Sequence, residues 1–271
     1  MGDAASLTAK QSTKQSAGPF SLETRDLTVR FGGHVAVDAV SCAFKSNTLT
    51  AIVGPNGAGK TTYFNLVSGQ IKPSGGRVLL QGRDITRMRA SSRAHAGIGR
   101  AFQLTNLFPN LSVVENIRLV LQARARIGLN VWRMWNQRKA LLERAGLILE
   151  MVALTAKRDV HAAVLSHGDQ RKLEVGMLIA LDPEIYMFDE PTAGMSVDEV
   201  PVILDLIRSL KKRTGKTVLL VEHKMDVVRE LADRIVVLHN GAMVADGDPA
   251  TVIALPVVQQ AYLGLAPENK A

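Results

Sequence analysis

Eleven residues, Ile52-Val53-Gly54-Pro55-Asn56-Gly57-Ala58-Gly59-Lys60-Thr61-Thr62, restrict this chain more than any other stretch. The apolar run Ala51–Val53 has strand character. It breaks into the spacing Gly54-x-x-x-x-Gly59-Lys60-Thr61, and Thr61 to Ser68 then suits a helix. A strand that turns through glycines straight into a helix is the phosphate-cradling P-loop pattern. Glycines let consecutive backbone N–H groups turn inward and approach the phosphates closely. The positive end of the following helix adds about half a unit charge facing the anion. In this reading Gly54, Pro55, Asn56, Gly57, Ala58, Gly59 and Thr62 line the phosphates. Lys60 reaches the β- and γ-phosphates, and Thr61 places its hydroxyl on Mg²⁺. Chance would produce the spacing in about one chain of this size per hundred, and the flanking strand and helix lower that. A nucleotide site follows, but a P-loop does not choose among kinases, GTPases and ATPases.

Length allows one large domain, or a domain with a subdomain, around a real core: 271 residues, 46% hydrophobic, mean hydropathy +0.09. No uninterrupted apolar run of about 18 residues occurs, so any membrane role is expected to come through a partner. The N-terminus lacks a charged-then-apolar signal, which predicts a cytosolic chain. The lone Cys42 forms no internal disulfide and suits a small buried hydrophobe. The six histidines show no ligand spacing, so no structural metal is expected. Of the net charge of +8, the excess is concentrated between Arg83 and Arg144, where twelve Lys/Arg face three acids. Such a stretch is either a solvated helical face or a surface for nucleic acid or anionic membrane.

Along the chain, residues 1–19 hold Ser, Thr, Lys, Gln and Ala with little to bury and suit a disordered tail. Residues 22–30 and 35–45 alternate around Gly32-Gly33 as an antiparallel hairpin with Phe31 at its tip, there as core or to stack on an adenine ring. Arg77–Leu80 is a strand, Ile98–Phe102 a short apolar stretch ending in Gln103, and Leu111–Val152 carries helical periodicity. Trp132 and Trp135 share one helical face, for packing or for lipid headgroups. Leu165-Ser166-His167-Gly168-Asp169-Gln170 opens another helix, with Ser166 as its cap or as part of a second phosphate-facing terminus. Ile185–Phe188 is a buried strand that delivers Asp189 and Glu190, and adjacent strand residues point to opposite sides. One acid is thus free for the Mg²⁺ shell while the other addresses a water. Asp198–Arg213 suits a helix. Thr217–Val221 is a second buried strand, delivering Glu222 and His223 at the sheet edge where α/β folds bind ligands. Asn240-Gly241 marks a hairpin, and Asp248-Pro249 starts a last helix ending near Leu263-Gly264.

Taken in order, Phe31, the P-loop 54–61, Gln103, the 165–170 element, Asp189-Glu190, Asp198 and His223 resemble the ATP-binding cassette (ABC) ATPases over about residues 22–264. The Leu-Ser-x-Gly-x-Gln element separates that family from kinases and GTPases, although His167 stands where many members have Gly. The resemblance implies an α/β fold in which a P-loop core with a mainly parallel sheet carries an N-terminal antiparallel β-subdomain and an inserted α-helical subdomain. As domains it implies a single unit over 20–264, with helices over about 88–165, and a flexible C-terminus over 265–271. It further implies a head-to-tail dimer around two ATP. Each site would take Phe31, the P-loop, Gln103, Asp189, Glu190 and His223 from one subunit, and Ser166 and Gly168 from the other. Glu190 would activate the attacking water, and Thr61, Gln103 and Asp189 would hold Mg²⁺. His223 would face the γ-phosphate, with Lys60 and Gln103 completing the catalytic set.

Within the family, Arg100-Ala101-Phe102-Gln103-Leu104-Thr105-Asn106-Leu107-Phe108, Val221-Glu222-His223 and the tail Pro249–Gly264 resemble the ATPases of branched-chain amino acid uptake systems. The helical insertion around 120–145 does so too. The partners this implies are membrane permease subunits, a second copy or a paralogous ATPase and, indirectly, a periplasmic binding protein. Nucleic acid is not among them. The expected location is cytoplasmic, peripheral on the inner face of the cell membrane. Urea or amide uptake and lipopolysaccharide-type export remain alternatives, as does a non-transport ABC ATPase. That last type usually carries two cassettes or a long coiled-coil insertion.

Overall fold

The computed structural model describes residues 20–101, 107–125 and 131–263, with only the backbone described for 131–138 and 261–263. Gln103 therefore lies outside the described residues, as do the tail 1–19 and residues 264–271. The same holds for the side chains of Trp132 and Trp135.

Two sheets meet at the phosphate loop. The first is antiparallel. β1 (Phe20–Phe31) and β2 (His34–Lys45) form the expected hairpin, and β4 (Gly75–Leu80) and β5 (Arg83–Asp84) extend it in the order β2-β1-β4-β5. The second contains β3 (Leu49–Val53), β6 (Ile98–Ala101), β7 (Ile185–Asp189), β8 (Thr217–Val221), β9 (Arg234–His239) and β10 (Ala242–Gly247). Its order is β10-β9-β3-β8-β7-β6, and it is parallel except for the β9–β10 hairpin. Every residue of β3, β7 and β8 is buried. Covered on both faces, these strands are continuously apolar instead of alternating.

The helices are α1 (Lys60–Ser68), α2 (Ala90–Ala96), α3 (Val113–Arg124), α4 (Val131–Met151), α5 (His167–Leu181), α6 (Val200–Lys211), α7 (Met225–Leu231), α8 (Pro249–Ile253) and α9 (Pro256–Leu263). None of the described helices is long and apolar enough to cross a membrane. The helical stretch 111–152 is two helices, α3 and α4. The last helix, expected to be continuous, is also two: α8 ends at Ile253, and Pro256, which has no N–H to donate back into a helix, begins α9. Residues 98–101, inside the stretch assigned to helices, are a strand of the parallel sheet. The helices α3 and α4 pack against α5, beyond residue 165.

Ile117, Ile148, Val152 and Leu173 join α3–α5 to the sheet through Phe188 and Leu220. On the other face, Leu22, Phe44, Phe64 and Val236 fill the space between the sheets. Each such side chain contributes about 1.5–3 kcal/mol relative to exposure. Cys42 is buried there, its thiol pushed up to about 12 by burial, so it behaves as a small hydrophobe.

Two charged side chains fix helix ends. Arg93, 1% exposed, donates to the carbonyls of Leu66 and Val67 at 2.7 Å and of Thr86 at 2.8 Å, closing the C-terminus of α1. Burial pulls its guanidinium down to about 10. Asp182 ends α5 in the left-handed region (φ 50°) and gathers Arg124 (2.6 Å), Lys216 (2.9 Å), Arg213 (3.2 Å) and the Tyr186 hydroxyl (3.1 Å). It thereby ties α3 to the core.

Candidate nucleotide site

The P-loop runs from the C-terminal end of β3 into α1, with Gly59 as N-cap of the helix and Lys60 its first residue. Gly54, Gly57 and Gly59 take φ values of 152°, 80° and 95°, which L side chains rarely adopt. Space also demands two of them. A Cβ on Gly54 would lie 2.1 Å from the Leu238 carbonyl oxygen, and one on Gly59 would lie 2.5 Å from that of Ala36. The loop is thus wedged between β9 and β2. The Lys60 ammonium folds back over it, donating to the carbonyls of Gly54 (2.7 Å) and Pro55 (2.9 Å). Burial pulls its pKa down, opposed by Glu190 and Asp189. Thr61 and Thr62 occupy the first turn of α1 behind it.

Strand β8 lies next to β3, and β7 next to β8, so three strand ends converge at one sheet edge. Asp189 ends β7 with its side chain wholly buried, and Oδ2 accepts from Arg100 Nη2 at 2.7 Å. Its other oxygen, Oδ1, is buried with no hydrogen-bond partner among the described residues. Burial pushes this carboxyl up, and Arg100 pulls it back. The Arg100 fork also reaches Asn65 Oδ1 (2.6 Å) and Ser68 Oγ (3.2 Å) on α1. Glu190 follows with φ 49°, a strained value for this residue, and its Oε1 stands 2.5 Å from His223 Nε2. Strand alternation, expected to separate the two acids, does not apply, because β7 ends at Asp189 and Glu190 has left-handed backbone; Asp189 is held by Arg100 and Glu190 by His223.

The N-terminus of α5 is capped by Ser166, whose Oγ accepts the Asp169 N–H at 3.2 Å and donates to Asp169 Oδ2 at 3.0 Å. Lys157 and Lys172 also bond Asp169, and Lys172 continues to Glu199 at 2.7 Å. Burial pushes the Asp169 carboxyl up, but these hydrogen bonds outweigh it and hold it below the usual carboxylate range. A depressed folded-state value contributes stability above the unfolded value, about 3.9, and that contribution is lost as pH falls through the folded value. Asp169→Asn should therefore melt earlier than the parent chain at pH 7, with the gap closing below about pH 4 in melts followed by circular dichroism. Gly168 faces Glu199, and a Cβ there would meet Oε2 at 2.3 Å. Phe31 ends β1 half exposed, not in the core.

The residues present fit a phosphate chain with a divalent cation. A glycine-lined loop with a lysine, an orphaned buried carboxylate oxygen and an acid paired with histidine share one edge. Oxygen donors of this kind suit Mg²⁺. Arg100 and Asp169 carried no role in the sequence reading. A charged residue within a short buried strand was the signal for Arg100, since it needs a partner.

A family model described as "ABC transporter" matches residues 37–193. The high-affinity branched-chain amino acid transport ATP-binding protein LivG of Salmonella typhimurium is 36% identical over 250 residues, 90% of this chain and 98% of that protein. Among solved structures, a nucleotide-free ATP-binding cassette from an ABC transporter superposes with a TM-score of 0.77 at 28% identity, covering 91% of this chain and 100% of that one. A dimeric cassette in a post-hydrolysis state with ADP and Pi superposes with a TM-score of 0.74 at 25% identity, covering 84% and 98%.

Proposed function

This chain belongs to the ABC transporter family, and on that premise we propose that it is the ATP-hydrolysing subunit of a branched-chain amino acid uptake system. The observation that carries the ATPase reading is the meeting, at one edge of adjacent parallel strands, of the P-loop, Asp189, and Glu190 bonded to His223. The substrate class rests on the named activity of relatives that match along nearly their whole length.

ATP phosphates lie on the P-loop N–H groups, where Lys60 exchanges its two carbonyl contacts for phosphate oxygens. Mg²⁺, when bound, offsets phosphate charge, and Thr61, Gln103 and Asp189 would hold it. Glu190 takes the proton of the attacking water, and His223 fixes the direction of that carboxylate and faces the γ-phosphate. Ser166 and Gly168 complete the site of a second copy or paralogue in a head-to-tail dimer. Closing on ATP and reopening after hydrolysis drives permease subunits from the inner face of the membrane.

The test is reconstitution with the permease in proteoliposomes. Binding protein loaded with leucine or isoleucine should raise ATP hydrolysis several-fold over the unloaded protein. Stimulation confined to loaded urea- or amide-binding protein would overturn the substrate, and co-purification with an export permease alone would overturn import.

A further inference from the structure

Glu190 and His223 stand on separate loops, one after β7 and one after β8, yet their side chains meet at 2.5 Å. A contact of that length between two loops needs something to hold the loops in register. The Glu190 N–H donates to the Val221 carbonyl at 3.0 Å, which ties the backbones at the strand ends, and a buried carboxylate ties the side chains beyond them. Glu222, 3% exposed, lies between the end of β8 and His223. Its Oε2 accepts the hydroxyl of Thr192 at 3.1 Å, and Thr192, 1% exposed, is two residues beyond Glu190. Its Oε1 accepts the backbone N–H groups of His223 at 3.0 Å and Lys224 at 3.3 Å. Burying a carboxylate is costly unless its hydrogen bonds are made, and here both oxygens are occupied. The acid is therefore fixed by groups from both loops at once. An alanine there would leave two N–H groups and one hydroxyl without that partner, and only the Glu190 N–H to Val221 carbonyl bond would still tie Glu190 to the end of β8.

We propose that Glu222 is a positioning residue for ATP hydrolysis, stapling the Thr192 loop to the His223 backbone and so setting the Glu190–His223 contact. The inference rests on the reading of Glu190 and His223 as the hydrolytic pair. Glu222 touches neither the substrate nor the reacting atoms; it acts through His223. The P-loop contacts lie on β3 and α1 and do not pass through the staple, so most of the nucleotide's affinity should survive its loss.

The experiment compares turnover, ATP affinity and melting temperature in the full-length chain for Glu222→Ala, Glu222→Gln, Thr192→Val and His223→Ala, and for Glu222→Ala combined with His223→Ala. Turnover should fall about 10- to 100-fold in Glu222→Ala with the Kd for ATP within about twofold, since misplacement of a catalytic group by about 1 Å costs on that order. Thr192→Val should lose about 3- to 10-fold, as one of several hydrogen bonds goes. Glu222→Gln should retain most activity. Its amide oxygen still accepts both N–H groups, and its NH₂ donates to the Thr192 hydroxyl. In the His223→Ala background the Glu222→Ala change should cost less than about twofold, because a group acting through His223 has nothing left to position. An equal loss in both backgrounds, or an unchanged Glu222→Ala beside an impaired His223→Ala, overturns the proposal alone. Full turnover by His223→Ala overturns the underlying pair and the proposal with it. If Glu222→Ala fails to fold, Thr192→Val in both backgrounds decides the same question, and equal losses there overturn the proposal.

Discussion

Glu190→Gln should cut ATP turnover by about 10²–10⁴-fold, the usual contribution of a general base, while leaving ATP binding intact. The amide keeps the size of the side chain and loses the capacity to take a proton from water. The P-loop contacts lie on β3 and α1 and do not involve it. With product formation blocked, the ATP-bound dimer should accumulate, and light scattering should record a doubling of mass on adding ATP and Mg²⁺. A variant that binds ATP, remains monomeric and hydrolyses at the parent rate would remove Glu190 from the role. A variant in which neither it nor the parent dimerises alone would point to an obligate paralogue, and co-purification would then identify it.

Arg100→Met should cost about 3–5 kcal/mol of stability, the range seen when one member of a buried ion pair is removed. Its partner Asp189 has a wholly buried side chain, and the Arg100 side chain is only 5% exposed. Methionine fills the space of the stem but leaves Asp189 Oδ2 without its donor, and Asn65 and Ser68 without theirs. Urea denaturation should show the midpoint falling with little change in slope. The sign with pH follows from the same geometry. Burial already pushes the Asp189 carboxyl up, and Arg100 is the main group opposing it. A protonated Asp189 needs no cation, so the loss should shrink as pH falls and be full at neutral pH. The double variant Arg100→Met with Asp189→Leu should recover most of the stability, since an apolar pair of similar volume avoids the desolvation cost. Failure to recover would place the penalty in the α1 contacts instead of in the ion pair.

Much of this was legible locally. The P-loop, the two apolar strands ending in Asp189-Glu190 and Glu222-His223, and the Asn240-Gly241 hairpin each carry their signal within about ten residues. Strand order carries no such signal. That β3 lies between β9 and β8, and β6 beside β7, follows from packing of the whole chain. The Arg100–Asp189 pair is a product of that order, because β6 and β7 run parallel in the register Ala101 opposite Phe188. Glu222 stands in view beside His223, but its meaning depends on Thr192 arriving from the loop that follows the neighbouring strand. The break between α8 and α9 is readable at Pro256, whose ring cannot continue a helix from α8.

The wedging of the phosphate loop has a consequence for how the protein is made. Its walls are the Leu238 and Ala36 carbonyls, and the Gly241 N–H holds Ala58 from the β9–β10 turn. A chain emerging N-terminus first contains the whole glycine-rich segment long before Leu238 and Gly241 exist. Until the turn at Asn240-Gly241 has been synthesised and has closed onto β3, that segment lacks two of its three supports. Such long-range closure is slow relative to local structure. The loop's full set of supports is therefore in place only after the β9–β10 turn has closed.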